Sequence, residues 1–123
     1  MLALRQLDPD TALAHLAQGA LLIDVRERGE VARLGFDVAN VVNLPLSEFA
    51  RRHHDLPRDR ELILACASGA RSFQAMQYLV HHGHTRVSNL QGGIGMWRLH
   101  GLPVSAGRAA GDGQRRSSTI ASS

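Results

Sequence analysis

The feature that most restricts the fold is a pair of short apolar runs with no polar alternation, within "ALLIDV" (residues 20–25) and "RELILAC" (60–66). A strand with one wet face alternates apolar and polar side chains. A continuous apolar run has no wet face to offer, so it reads as a strand covered on both sides. Segments with helical spacing lie between and around these runs. Strand and helix alternate along the chain, which predicts an α/β domain: a mostly parallel sheet with helices on both faces.

The helical segments carry their own punctuation. "LDPDTALAHLAQG" opens with Asp8 as a cap and Pro9 at the first helical position, and closes at Gly19. Leu13, Leu16, Ala17 and Ala20 supply its expected apolar stripe. "RERGEVARLG" is a short helical segment, "ANVVNLPL" a second strand ended by Pro45, and "SEFARRHHDL" a helix with Ser47 as its expected cap. After the "RELILAC" strand comes a helix whose apolar face is expected at Phe73, Met76, Leu79 and Val80, ending at Gly83. "TRVSNL" is a further strand, and "QGG" turns into a last short helix, "IGMWRLHG", closed by Gly101. Residues 1–105 are expected to form one domain, and residues 106–123, mostly Gly, Ala, Ser and Arg, a disordered tail.

Composition removes several functional classes. All 14 basic residues are Arg, but 11 acids nearly balance them, leaving +3, and the arginines are scattered among only five aromatics. That is not the footprint of a nucleic-acid binder. No run approaches the length of a membrane span. "MLALRQLDPD" has no basic start followed by a long apolar stretch, so a signal peptide is not expected and a cytoplasmic location is. The histidines at 53–54 and at 81, 82 and 84 have no cysteine or carboxylate to complete a metal set, and are read as solvated helix ends. Neither a metal nor a cofactor is expected.

The chain's one cysteine stands in "CASGARS", Cys66 to Ser72, between a buried strand and a helix. Loops beyond the carboxyl ends of parallel strands are where such folds bind ligands. The start of the following helix leaves backbone N–H groups free, pointing into the turn with the positive end of the helix dipole. Ala67, Ser68 and Ala70 are small, and Gly69 is free to take positive φ, so the backbone can curl around one atom. If that atom is the Cys66 sulfur, its pKa falls, and Arg71 adds a full positive charge. A thiolate prepared in this way is a nucleophile without a histidine base. From position alone, a lone cysteine after a buried strand is equally a small hydrophobe. "DVRE" lies at the end of the first buried strand and brings Asp24 and Arg26 toward the same edge.

Three motifs in order make the chain resemble the rhodanese-homology domain, the single-domain sulfurtransferases. They are "LLIDVRE", "CASGARS" in the form C-x-x-G-x-R-[SA], and "LQGGIGMWRLHGLPV" at Leu90 to Val104. The resemblance covers about residues 4 to 104. It implies a three-layer fold with a sheet of about five strands. It implies that Cys66 is a nucleophile carrying a persulfide and that Ala67, Ser68, Gly69, Ala70 and Arg71, followed by Ser72, form the active-site loop whose amides hold the outer sulfur. Asp24 and Arg26 would support that loop, with a plain strand-end ion pair as the other reading, while Gly92, Gly93 and Trp97 would be structural. One segment departs from the family: where "G-H-I-P-G-A" is usual, this chain has "GFDVANVV" at Gly35 to Val42.

The resemblance also implies a reaction, transfer of a sulfane sulfur from a donor such as thiosulfate or a persulfide to cyanide or a thiol. A protein thiol, such as that of a thioredoxin-like reductant, is among the expected acceptors, since one cysteine cannot resolve the persulfide internally. Related phosphatases use a loop one residue longer. The six residues from Cys66 to Arg71 suit a single sulfur atom better than a tetrahedral oxyanion. Two further readings remain open at this stage: a catalytically weak binding or regulatory module, and a redox-sensing thiol.

Overall fold

The computed structural model describes residues 5–106. Five strands form one parallel sheet: β1 (Arg5–Leu7), β2 (Leu21–Asp24), β4 (Val41–Asn43), β5 (Leu62–Ala65) and β6 (Val87–Leu90), in the order β1-β6-β5-β2-β4. A separate antiparallel ribbon pairs β3 (Leu34–Phe36) with β7 (Val104–Ala106). The helices are α1 (Pro9–Ala17), α2 (Arg28–Arg33), α3 (Leu46–Arg52), α4 (Ala70–His81) and α5 (Gly93–Leu99), with a single 3-10 turn at His53–Asp55.

The apolar runs behave as two-faced strands. Leu21 and Ile23 of β2 and Leu62 and Leu64 of β5 point into one core with Phe49, Met76 and Leu79 of α3 and α4. Leu22, Ile63 and Ala65 point the opposite way, into a second core with Ala12, Leu16, Ile94 and Trp97 of α1 and α5. Period-two alternation thus feeds two cores from one strand. Cys66 continues the Leu62–Leu64 face and falls in the first core. Trp97, fully buried, meets Phe36 edge-on at 5.2 Å and donates from Nε1 to the Pro103 carbonyl at 2.9 Å, so the ribbon is fastened to the second core.

Several elements differ from expectation. The α1 stripe is Pro9, Ala12 and Leu16, with Leu13 on its margin and Ala17 exposed. The α4 stripe is Ser72, Ala75, Met76 and Leu79, with Phe73 and Val80 at its edge. Helix α2 stops at Arg33 because Leu34 turns extended to enter β3. Helix α3 starts at Leu46 behind Pro45, and Ser47 caps nothing: its hydroxyl donates to Glu27 Oε1 at 2.9 Å. The histidines are not all solvated. His53 and His84 are buried, at 6% and 4% exposure, where the end of α4 packs beside the 3-10 turn. His53 lies 4.9 Å from both the Tyr78 and the His82 ring. The unusual Gly35–Val42 segment supplies β3 and the start of β4. Its Asn40 side chain donates to the Leu16 and Ala20 carbonyls, tying it to the end of α1. Ser105 and Ala106 belong to β7; the rest of the expected tail, 107–123, lies outside the described residues.

Candidate functional site

Cys66 follows the last residue of β5, and α4 begins four residues later at Ala70. The intervening turn wraps the sulfur. Gly69 N–H donates to Sγ at 3.0 Å and the Ser72 hydroxyl donates at 3.3 Å. Gly69 makes this possible by taking φ +105°, a conformation that L side chains avoid. Ser72 reaches the sulfur because it is the first residue of the buried α4 stripe, so the face that packs the core also delivers the hydroxyl. Cys66 is 1% exposed. That burial pushes the thiol up. The Ser72 hydroxyl, then the amides of Ser72, Gly69 and Ser68, outweigh it and hold the thiol below its ordinary range.

The outer side of the loop is locked to α5. Ile94 N–H donates to the Cys66 carbonyl at 2.9 Å and Gly95 N–H to the Ala67 carbonyl at 3.2 Å. Two free donors at the α5 start are thereby satisfied, and these two loop carbonyls are drawn to α5. The approach is close: a Cβ on Gly93, at φ +58°, would stand 2.4 Å from the Cys66 carbonyl oxygen. Gly93 is therefore more than a tight turn; it is the surface on which the loop rests. Asn89 of β6 adds a third brace, donating from Nδ2 to the Gly69 carbonyl at 3.1 Å.

Ala67, Ser68 and Ala70 are exposed and form the lip. Arg71 is partly exposed. Its guanidinium makes a two-pronged pair with Glu30 of α2, Nη1 to Oε2 and Nη2 to Oε1, both 2.8 Å. Glu30 Oε2 also accepts the Glu27 N–H at 3.0 Å. The Arg71 hydrogen bonds hold the Glu30 carboxyl far down, at about 2.

Asp24 and Arg26 stand at the end of β2, the strand beside β5, with Asp24 opposite Ala65. They bind each other: Arg26 Nη2 to Asp24 Oδ2 at 2.8 Å and Nε to Oδ1 at 3.1 Å, both residues buried. Arg26 Nη2 also donates to the Leu34 carbonyl at 2.8 Å, and the guanidinium lies 5.8 Å from the Phe36 ring centre. These contacts fasten β3 and α2 to the strand end, and α2 carries Glu30 to Arg71. Among the described residues, the side-chain hydrogen bonds of the pair connect to the loop through that relay. Among the described residues, no group of three or more His, Cys, Asp or Glu is placed to hold a metal ion, and no helix is long and apolar enough to cross a membrane.

Two site residues escaped the sequence reading. Asn89 carried a signal: a polar residue inside a strand buried at all four positions needs a partner. Glu30 carried none, since its partner lies 41 residues away.

Comparison with known proteins identifies the family. Residues 8–100 match the family described as the rhodanese-like domain. A sulfurtransferase of Allochromatium vinosum is 39% identical over 103 residues, which cover 82% of this chain and 94% of that one. Thiosulfate sulfurtransferase GlpE of Pseudomonas fluorescens is 34% identical over 107 residues, 85% of this chain and 95% of that one. Among solved structures, a rhodanese-related protein from Thermoplasma volcanium is similar with a TM-score of 0.74 and 30% identity, over 82% of this chain and 97% of that one. The family match spans the cysteine loop and both strand ends beside it, the relatives have nearly the same extent, and the chain belongs to the rhodanese-like domain family.

Proposed function

We propose that this protein is a sulfurtransferase that carries sulfane sulfur on Cys66 as a persulfide. The observation that supports this most is the sulfur's seat: one backbone amide and one hydroxyl donate to it inside the short turn that runs from Cys66 into α4. In the first step the Cys66 thiolate attacks the sulfane sulfur of thiosulfate, a new S–S bond forms, and sulfite leaves with the electron pair of the broken bond. With a persulfide donor, the donor's thiolate leaves instead. The loop amides, already aimed at Sγ, are the groups that would hold the negative charge of the outer sulfur. In the second step a thiolate or cyanide attacks the outer sulfur and Cys66 leaves as thiolate. Kinetics of the ping-pong type follow. The sulfur is 1% exposed, and the residues over it, Ala67, Ser68 and Ala70, carry small side chains. A free thiol is kept most readily in a reducing compartment, which fits a cytoplasmic setting. The acceptor class is a thiol, a protein cysteine included.

Intact mass of the purified protein, before and after thiosulfate or an organic persulfide and again after cyanide, tests the reading. The expected result is a gain of one sulfur atom, about 32 Da, that cyanide removes and that Cys66→Ser never shows. A folded wild-type protein that gains no sulfur from either donor refutes it and leaves a binding module.

A further inference from the structure

Arg71 is the only charged side chain in the loop 66–72. A lone arginine at the mouth of a nucleophile loop would draw anionic donors inward. Here both of its end nitrogens are committed to Glu30 at 2.8 Å, and that carboxylate is itself fixed by the Glu27 amide at the start of α2. A second carboxylate, Glu27, acts on the same guanidinium and accepts the Ser47 hydroxyl at 2.9 Å. The nearby Arg26 is spent on Asp24 in a buried pair. The loop's one cation therefore stands between two carboxylates, Glu30 and Glu27, and its charge is offset before a ligand arrives. The exposed lip adds only Ala67, Ser68 and Ala70.

We infer that the Glu30–Arg71 pair sets donor choice: by withholding the loop's cation it turns the site away from the thiosulfate dianion and toward persulfides on organic thiols of low charge. The inference rests on the sulfurtransferase reading of Cys66. The favoured step is balanced: Cys66–S⁻ attacks the outer sulfur of R–S–SH, the Cys66–S–SH bond forms, the R–S bond breaks, and R–S⁻ leaves with its electron pair. Nothing beyond donor and thiolate is consumed. Glu30 acts here through Arg71 and does not touch the donor, so it is a specificity-determining residue and not a catalytic one.

The test measures the initial rate of sulfur loading on the full chain by quenched intact mass, with thiosulfate and with the persulfide of 2-mercaptoethanol as donors. In the wild type, the thiosulfate rate is expected to change less than about twofold between about 0.01 and 0.1 M salt, although the screening length falls from roughly 30 Å to 10 Å. In Glu30→Gln the side chain still accepts one Arg71 hydrogen bond but the charge is gone. The ratio of thiosulfate to persulfide rate is expected to rise about tenfold, and the thiosulfate rate to become salt-sensitive, as removal of a unit charge close to a dianion's path requires. Equal falls in both rates in Glu30→Gln, leaving the ratio unmoved, would reduce Glu30 to a scaffold and overturn the inference alone. A steep loss of the wild-type thiosulfate rate with salt would overturn it without any variant. Absence of loading from both donors would instead overturn the sulfurtransferase reading beneath it.

Discussion

At the scale of single residues, the site is a contest between burial and hydrogen bonding at one sulfur atom. Cys66 lies in the same core as Leu62, Leu64 and Met76, where an unaided thiol stays protonated. The Ser72 hydroxyl, at 3.3 Å, is the largest of the influences that reverse this. Ser72→Ala removes that donor and leaves Sγ to the amides. The thiol pKa is expected to rise, so the rate of alkylation by iodoacetamide at neutral pH falls, and the alkylation profile moves to higher pH by about one unit, the size of one charge-assisted hydrogen bond. Ser72→Thr, which keeps the hydroxyl, restores the wild-type midpoint. A profile unmoved by Ser72→Ala would show that the backbone alone sets the thiol. The role of Ser72 was only half legible in the chain. "CASGARS" marks it as a loop residue, but its aim follows from the register of α4, where Ser72 heads the stripe continued by Ala75, Met76 and Leu79.

At the scale of elements, the cradle is a three-part joint: the β5–α4 turn, the β6–α5 turn and the start of α5. Gly93 is where the parts come closest. Gly93→Ala forces a Cβ to within 2.4 Å of the Cys66 carbonyl and 2.6 Å of the Ala67 carbonyl, both backbone atoms that cannot swing aside. Gly101→Ala makes a fair comparison, since Gly101 also has positive φ, +75°, but nothing lies within 4 Å of its added Cβ. Gly101→Ala is expected to lose about 1 kcal/mol from backbone strain alone, and Gly93→Ala at least about 2–3 kcal/mol, read from urea unfolding. Sulfur loading should slow in the Gly93 variant only. Equal destabilisation by the two changes would mean that the loop does not rest on Gly93. What the sequence made visible at this scale follows the strength of the local signal. β2 and β5 were plain, because nothing but two-sided burial explains "LLI" and "LILA". β1, β3 and β7 were not: each has three residues, and "RQL", "LGF" and "VSA" carry no period long enough to read. Their pairing comes from partners far along the chain, as Gly35 with Ser105 and Arg5 with Ser88. The same reason hid Glu30, whose meaning depends wholly on Arg71.

At the scale of the molecule, α4 joins two titrating centres. Its first turn holds the Cys66 sulfur, and its far end packs into a histidine cluster about 18 Å away along a helix of 12 residues. His53 Nδ1 is buried without a hydrogen-bond partner among the described residues, Tyr78 and His82 flank the ring, and His54 stacks on it at 4.4 Å. Burial first, then His54, His82 and Arg58, lowers the His53 pKa below 6.5; burial first, then Arg58, His53 and His82, lowers that of His84. The unfolded chain therefore takes up protons at these sites before the folded one does. Stability from them is complete above pH 6.5 and drains away as the pH falls from there through the lowered folded values. A second loss follows below 4.5, where Glu30 and Glu48 begin to protonate in the unfolded chain but stay ionised to about 2 when folded beside their arginines. Urea midpoints between pH 8 and pH 3 should accordingly fall in two steps, the first starting near 6.5. His53→Phe, whose ring can still pack edge-on to Tyr78 without a proton to gain, should shrink the first step and leave the second. A midpoint constant from pH 7.5 to 5.5 would contradict the linkage. The thiol lies at the opposite end of the helix and is held below its ordinary range by its own donors. Sulfur loading without denaturant should therefore follow Cys66 alone, and the histidine step should enter the rate only where urea has brought unfolding within reach.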